Sequence, residues 1–135
     1  MNSHARLGIL FRIAAVAETP VALALVVDPS GVASILLRSG LDGPAQVIGR
    51  IAGGALLSVG VACWYARNAT ATPAGIGVAW GLLAYNVVTC VALAVAVAAI
   101  PGGGLVALGA SVLHGLFAGA LLAALLRPGP ALTRV

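Results

Sequence analysis

The longest charge-free stretch of this chain runs from Asn68 to Leu126, and His114 is its one residue that gains charge near neutral pH. A membrane crossing takes about 20 apolar residues, so this stretch has room for two crossings. Backbone amides inside lipid need internal partners, which favours helices there. The whole chain is 61% hydrophobic and 7% charged, with a mean hydropathy of +1.14. Soluble domains carry roughly a quarter charged residues, so a water-soluble or disordered chain is excluded.

Four apolar segments, bounded by residues that begin or break helices, predict four transmembrane helices. The second segment follows Asp42-Gly43-Pro44 and the third follows Thr72-Pro73, where the polar residue can cap a helix and proline fits its first turn. Asp28-Pro29-Ser30-Gly31 and the Pro-Gly run at 101–104 end the first and third segments. We therefore predict an all-α, four-transmembrane-helix bundle, one integral membrane domain over residues 1–135, with helices at about 7–27, 45–66, 73–100 and 105–126.

The first loop, residues 28–46, is the one sizeable segment outside these predicted spans. It carries Val32, Ile35, Leu36 and Leu37 between glycines and a terminal Arg38, a composition consistent with a short helix in the membrane interface. We predict such an interfacial helix. It either caps the bundle as a lid or connects two spans, and we favour the connection.

The arginines are distributed unevenly between the two ends of the predicted bundle. An even number of spans puts both termini on one side, together with five arginines: Arg6, Arg12, Arg67, Arg127 and Arg134. The first loop holds Arg38 beside Asp28 and Asp42. The positive-inside rule then places both termini in the cytoplasm. Residues 1–30 also resemble a signal peptide, but Glu18 and Pro20 interrupt the apolar run, so we expect it to be retained as a span.

Every predicted helix contributes at least one polar residue to the middle or outer half of the membrane. At ~1.5 Å per residue, Glu18 and His114 lie about 14 Å from the outer ends of their helices and Arg50 about 8 Å. Tyr85 and Asn86 fall near the centre of the third helix. Charged groups at mid-bilayer cost at least ~2.5–3.5 kcal/mol, so we expect each of them to have a structural or functional role. The candidate ligand-binding residues are therefore Glu18, Arg50, Tyr85, Asn86 and His114.

Two interpretations of this polar layer are open. In the structural one, Glu18 and Arg50 form an intramembrane ion pair, and Tyr85, Asn86 and His114 join helices through hydrogen bonds. In the functional one, the same residues line a binding cavity that opens toward the outer side, and Glu18 or His114 titrates as the cavity fills.

Specific catalytic or metal chemistry is not readable from the residues. One of the two histidines is near the N-terminus, which excludes a paired-histidine haem site and leaves His114 as a single axial ligand at most. No spacing of cysteines and histidines suits zinc, and no nucleophile–base pair is apparent. We predict no catalytic and no metal residues, expect a non-enzymatic protein, and leave the cofactor open. The arginines form no patch, so no nucleic-acid partner is expected.

Small residues recur at the spacing that lets membrane helices approach closely. The pairs are Gly49 and Gly53, Gly77 and Gly81, and Gly115 and Gly119, with Gly54 and Ser58 extending the second helix. Close van der Waals contact supplies much of helix association in lipid. The spacing therefore favours a compact bundle and is compatible with a homo-oligomer.

The chain as a whole resembles the small four-helix bacterial membrane proteins of the DoxX-like group. The features that carry the resemblance are the polar interruptions of the first helix, the short interfacial stretch, the run from Gly49 to Gly60, Tyr85-Asn86 and His114. Similar features recur in uncharacterised relatives. The resemblance implies a multi-pass protein of the bacterial inner membrane with an accessory or redox-linked role.

These observations predict a protein that binds a small or lipid-like ligand, or serves as an accessory subunit of a membrane complex, through its polar layer. Its expected partners are membrane lipid, a small hydrophobic ligand, and further copies or subunits. The alternative is a proton-coupled small-molecule transporter that uses Glu18. A membrane enzyme with His114 and Tyr85 as acid–base groups ranks last.

Overall fold

The computed structural model describes residues 3–100 and 104–126. The described residues form five helices: α1 (Ser3–Val27), α2 (Pro29–Leu37), α3 (Gly43–Ala66), α4 (Pro73–Ala99) and α5 (Leu105–Leu125). All except α2 are long and apolar enough to cross a membrane, with 21 to 27 residues each. At ~1.5 Å per residue they rise about 32–40 Å, against a hydrocarbon core of ~30 Å. The predicted all-α class, with four apolar helices of membrane-spanning length and one short helix, is confirmed.

The caps predicted for α3 and α4 are present. The side chain of Asp42 accepts a hydrogen bond from the backbone N–H of Ala45 at 3.1 Å. The hydroxyl of Thr72 accepts one from the N–H of Gly75, also at 3.1 Å. Each side chain satisfies an amide that the first helical turn leaves without a partner, so these residues determine where α3 and α4 begin.

The segment Asp28-Pro29 that ends α1 also begins α2. Asp28 accepts a hydrogen bond from the N–H of Gly31 at 2.8 Å and thus caps α2 one residue after α1 ends. Arg38 ends α2 in the left-handed conformation, with a φ of 56°. The short helix contacts α1, α3 and α5 at this end of the bundle, which we call the α2 end. It therefore packs against three of the long helices as well as connecting α1 to α3.

The long helices associate as two pairs, α1 with α3 and α4 with α5, and the contacts between the pairs are far smaller. Gly53 lies where the backbones of α1 and α3 come closest, because a Cβ built there would be 2.8 Å from the carbonyl oxygen of Ala22. Gly60 approaches α1 in the same way, and its added Cβ would lie 2.9 Å from the hydroxyl of Thr19. These glycines let α1 and α3 pack closely.

The hydrophobic core, where the two pairs meet, is nearest the other end of the bundle. Leu7 and Phe11 of α1 are buried there against Leu82 of α4 and Leu121 of α5. Thr70, in the segment between α3 and α4, donates a hydrogen bond to the carbonyl of His4 at 3.1 Å. The start of α1 and the end of α5 therefore lie together, at what we call the terminal end.

The predicted small-residue pairs have mixed outcomes. Gly49, Gly53 and Gly115 approach another element closely, whereas a Cβ at Gly54, Gly77, Gly81 or Gly119 would meet nothing within 4 Å. Ser58 is also exposed. Three of the eight predicted small residues therefore contact another element closely, and the other five lie on the surface of the bundle.

Candidate functional site

Four of the five candidate residues meet in one layer of the bundle. Glu18 of α1 accepts a hydrogen bond from the hydroxyl of Tyr85 at 3.1 Å, between its Oε2 and the phenol oxygen. Tyr85 and His114 contact edge to face, with ring centroids 5.6 Å apart and an interplanar angle of 85°. His114 in turn hydrogen-bonds with Asn86. The polar layer therefore connects α1, α4 and α5.

Asn86 is the most enclosed member of this layer, with 2% of its surface exposed. Its amide nitrogen Nδ2 donates to the carbonyl oxygen of Leu82, one turn earlier in α4, at 2.8 Å. Its Oδ1 lies 2.8 Å from Nδ1 of His114. Asn86 thus connects the α4 backbone to the imidazole of α5, as buried polar groups require partners.

The expected ion pair between Glu18 and Arg50 does not form. Arg50 is exposed, with no ion pair or hydrogen bond to the part of the chain that the structure describes. Gly53 and Gly60 are the residues of α3 that approach α1 closely, and Arg50 lies three residues before Gly53 with its side chain exposed. Because Gly60 lies beside Thr19, Arg50 is about 15 Å nearer the α2 end than the level of Glu18. Depths counted separately from each helix end had placed the two charges at similar heights.

A pocket of about 330 Å³ opens beside the polar layer, between α1 and α5. Glu18, Asn86 and His114 supply its polar surface. The remaining lining is apolar: Ile13, Ala14, Ala17, Val21, Ala110, Leu113 and Phe117. Of these, Ile13 is 50% and Leu113 68% exposed on the outer surface. The pocket therefore opens on the side of the bundle, between α1 and α5, whereas the functional interpretation of the sequence had it open toward the outer side.

The apolar lining was not singled out from the sequence, although its spacing is visible there. Ala110, His114 and Phe117 follow one another at intervals of four and three residues, which puts them on one face of α5. Ile13, Ala17 and Val21 are likewise four residues apart on α1. Such stripes are common in transmembrane helices, so only the position of the gap between α1 and α5 identifies them as a pocket.

A second groove, between α1 and α3, is larger, but no carboxyl or imidazole side chain lines it. Its volume is about 390 Å³, and it is lined by Val16, Thr19, Leu57, Val61 and Trp64, among others. The hydroxyl of Thr19 already donates to the carbonyl of Ala15 at 2.7 Å. Since no ionisable carboxyl or imidazole lines this groove, we consider the smaller pocket at Glu18 and His114 as the candidate site.

Ser111, which the sequence places on the same face of α5 as His114, has a structural role. Its hydroxyl donates to the backbone carbonyl of Cys90 at 2.9 Å and so joins α5 to α4. Cys90 and Cys63 are both free thiols. Within residues 3–100 and 104–126, no three His, Cys, Asp or Glu side chains come together as a metal site would need.

Comparison with protein-family models, with curated proteins and with solved structures finds no match to this chain.

Proposed function

We propose that this protein binds a small lipid-like ligand that enters from the surrounding membrane through the gap between α1 and α5. The pocket of about 330 Å³ carries this proposal, because polar side chains from three helices line it between apolar walls. Ionisable residues at this depth are costly, and in membrane proteins they typically mark functional sites. Small-molecule sites have the same character, with apolar walls and a few placed polar groups, and begin at about 300 Å³.

The two ends of the ligand would meet different surroundings. Its polar head group would lie against Glu18, Asn86 and His114, while its apolar part would contact Leu113 and Phe117. The gap is where a ligand can enter at low cost, because α1 and α5 make little contact compared with the contacts inside each helix pair. Binding would therefore leave the α1–α3 and α4–α5 pairs intact.

Photolabelling tests this proposal. The purified protein in phosphatidylcholine nanodiscs is exposed to a ten-carbon alcohol that carries a diazirine, and the labelled residues are mapped by mass spectrometry. We expect labels on the pocket residues of α1 and α5. Ala110→Leu and Ala17→Leu, which put side chains into the pocket, are expected to reduce this labelling by about tenfold or more, since the added groups take the ligand's place. The control Ala84→Leu, on the exposed face of α4, should leave it unchanged.

Uniform labelling of all lipid-facing helix surfaces would contradict the proposal. So would labelling of α5 that neither pocket-filling variant reduces. Having two such variants on different helices guards against the failure of one of them to fold, and circular dichroism of each verifies its helical content.

Proton-coupled transport remains the second candidate, because Glu18 lines the pocket and is free of the arginine that was expected to neutralise it. Exchange of a proton for the ligand predicts that weakly buffered protein releases about one proton per bound decylammonium ion, and that Glu18→Gln releases none. Binding without proton release would support a ligand-binding protein and exclude Glu18 as the exchanging group.

The resemblance to DoxX-like proteins and the charge distribution supply the cellular context of the proposal. The terminal end carries Arg6, Arg12 and Arg67, so we propose that it faces the cytoplasm of a bacterial inner membrane. Single cysteines in a Cys63→Ala, Cys90→Ala background test this orientation. A membrane-impermeant maleimide should label Ser39→Cys in intact cells and Ala71→Cys only after permeabilisation. Association with a second copy or with subunits of a membrane complex stays a prediction.

A further inference from the structure

The hydrogen bonds of Asn86 determine which nitrogen of His114 is available to a ligand. The carbonyl of Leu82 can only accept, so the amide of Asn86 must present its nitrogen there, at 2.8 Å. Its oxygen then lies 2.8 Å from Nδ1 of His114. Because that oxygen can only accept as well, Nδ1 must carry a hydrogen. The neutral imidazole therefore keeps its lone pair on Nε2.

When Glu18 is ionised, two polar atoms of the pocket remain as acceptors for an occupant. Nε2 of His114 has no hydrogen bond to the described residues, and His114 lines the pocket. Glu18 receives the hydroxyl of Tyr85 on Oε2, and its Oε1 is without a partner in the same part of the chain. Asn86 uses its oxygen and one of its two amide N–H groups, so it keeps one N–H donor. A ligand that bonds to both of these acceptors must therefore bring hydrogen-bond donors itself.

The charge of the pocket also favours a ligand that brings donors, and specifically a cationic one. Glu18 is the one carboxyl in its lining, and no Lys or Arg lines it. Arg50 is exposed on α3, and Arg12 donates to Asn68 at the terminal end, at 3.3 Å. A cationic head group would thus neutralise a carboxylate that the described side chains leave without an ion pair.

We infer that the ligand is an amphiphile with a primary amine head group, an inference that rests on the proposed function of the pocket. The ammonium N–H groups donate to Oε1 of Glu18 and to Nε2 of His114, and the alkyl chain contacts the apolar walls. Both protonation states of the acid lead to the same complex. A neutral amine takes the proton from the Glu18 carboxylic acid, and a charged amine pairs directly with the carboxylate.

Four head groups on matched ten-carbon chains separate the donor requirement from the charge requirement. Each compound competes with the diazirine alcohol for labelling of α5 in nanodiscs, and its concentration is corrected for partition into protein-free nanodiscs. Decylammonium supplies a positive charge and donors, 1-decanol a donor without charge, and decyltrimethylammonium a positive charge without a donor. Decanoate supplies no donor and a negative charge. We expect decylammonium to compete best, with 1-decanol and decyltrimethylammonium each weaker by about tenfold, as expected for a lost charged hydrogen bond. Decanoate should be the weakest.

Substitutions of Glu18 and His114 test separately how much each acceptor contributes to the binding of decylammonium. Glu18→Gln should reduce the preference for decylammonium over 1-decanol by about tenfold, because it removes the charge and retains the shape. His114→Phe, which keeps a ring but removes Nε2, should weaken both compounds. His4→Gln, outside the pocket, is the matched histidine control and should change neither.

Asn86 is a positioning residue in this scheme, and nitrogen NMR reads its effect directly. In ¹⁵N-histidine-labelled protein, with His4→Gln to leave one signal, neutral His114 should show a protonated Nδ1 and an unprotonated Nε2. In Asn86→Leu, the tautomers should mix, while a merely structural role would leave the tautomer unchanged.

The possible failures are distinguishable. Decanoate that competes as well as decylammonium, or a neutral His114 protonated on Nε2, overturns the amine inference while the ligand pocket stands. If none of the four compounds competes and the pocket-filling variants do not change the labelling, the proposed function itself is wrong.

Discussion

The contact between α1 and α3 at Gly53 gives a quantitative prediction for the substitution Gly53→Ala. An added Cβ would lie 2.8 Å from the carbonyl oxygen of Ala22, 2.9 Å from the Cβ of Leu25 and 2.9 Å from the backbone nitrogen of Val26. Ordinary contact begins at 3.4 Å, so the two helices must separate by about 0.5 Å. Two of the three opposing atoms are backbone and cannot rotate away. Overpacking of this kind costs about 1–3 kcal/mol.

The neighbouring Gly54 supplies the matched control, because a Cβ there meets nothing within 4 Å. Gly54→Ala and Gly53→Ala gain the same intrinsic helix preference, which cancels in the difference between them. We expect Gly53→Ala to lower the free energy of unfolding by about 1–3 kcal/mol relative to Gly54→Ala. Unfolding in dodecyl sulfate, followed by circular dichroism in mixed micelles, measures this difference. Equal stability of the two variants would refute the close packing of α1 on α3.

Three further predictions concern a cap, a helix–helix hydrogen bond and the exposed arginine. Asp42→Ala removes the acceptor of the Ala45 N–H and should lower the unfolding free energy by about 1 kcal/mol. Asp42→Asn keeps a capping oxygen and should retain most of the stability. Unchanged stability of Asp42→Ala would contradict the cap. Ser111→Ala leaves the carbonyl of Cys90 without its donor from α5 and should cost about 0.5–1.5 kcal/mol in the same assay, against no loss for Ser58→Ala, whose hydroxyl donates within its own helix. Arg50→Gln should leave competition by decylammonium within about twofold of the wild type, because Arg50 lies about 15 Å from the level of Glu18 along α3; a larger effect would place Arg50 at the pocket after all.

The candidate site could be predicted only in part from the sequence. Glu18, Tyr85, Asn86 and His114 stand out because polar residues are rare in long apolar runs, and the structure brings these four together. Arg50 stands out for the same reason, but its side chain is exposed and it lies closer to the α2 end. A polar residue in an apolar run can be recognised from the sequence because it is rare there. Its hydrogen-bond or ion-pair partner cannot, because that depends on how far one helix is shifted along the next.

The sequence by itself determined the number of helices and most of their ends, but α1 begins at Ser3, ahead of the predicted start at about residue 7. Long apolar runs favour helices, because the backbone must pair its own amides in lipid, and Asp42 and Thr72 each start a helix through a contact within a few residues. Only the tertiary structure decided that α1 pairs with α3 and α4 with α5, which leaves the gap that forms the pocket. It also decided that Tyr85, and not Arg50, reaches Glu18. These outcomes depend on the rotation and axial shift of whole helices, which are set by close contacts such as those of Gly53 and Gly60 between residues distant in the chain.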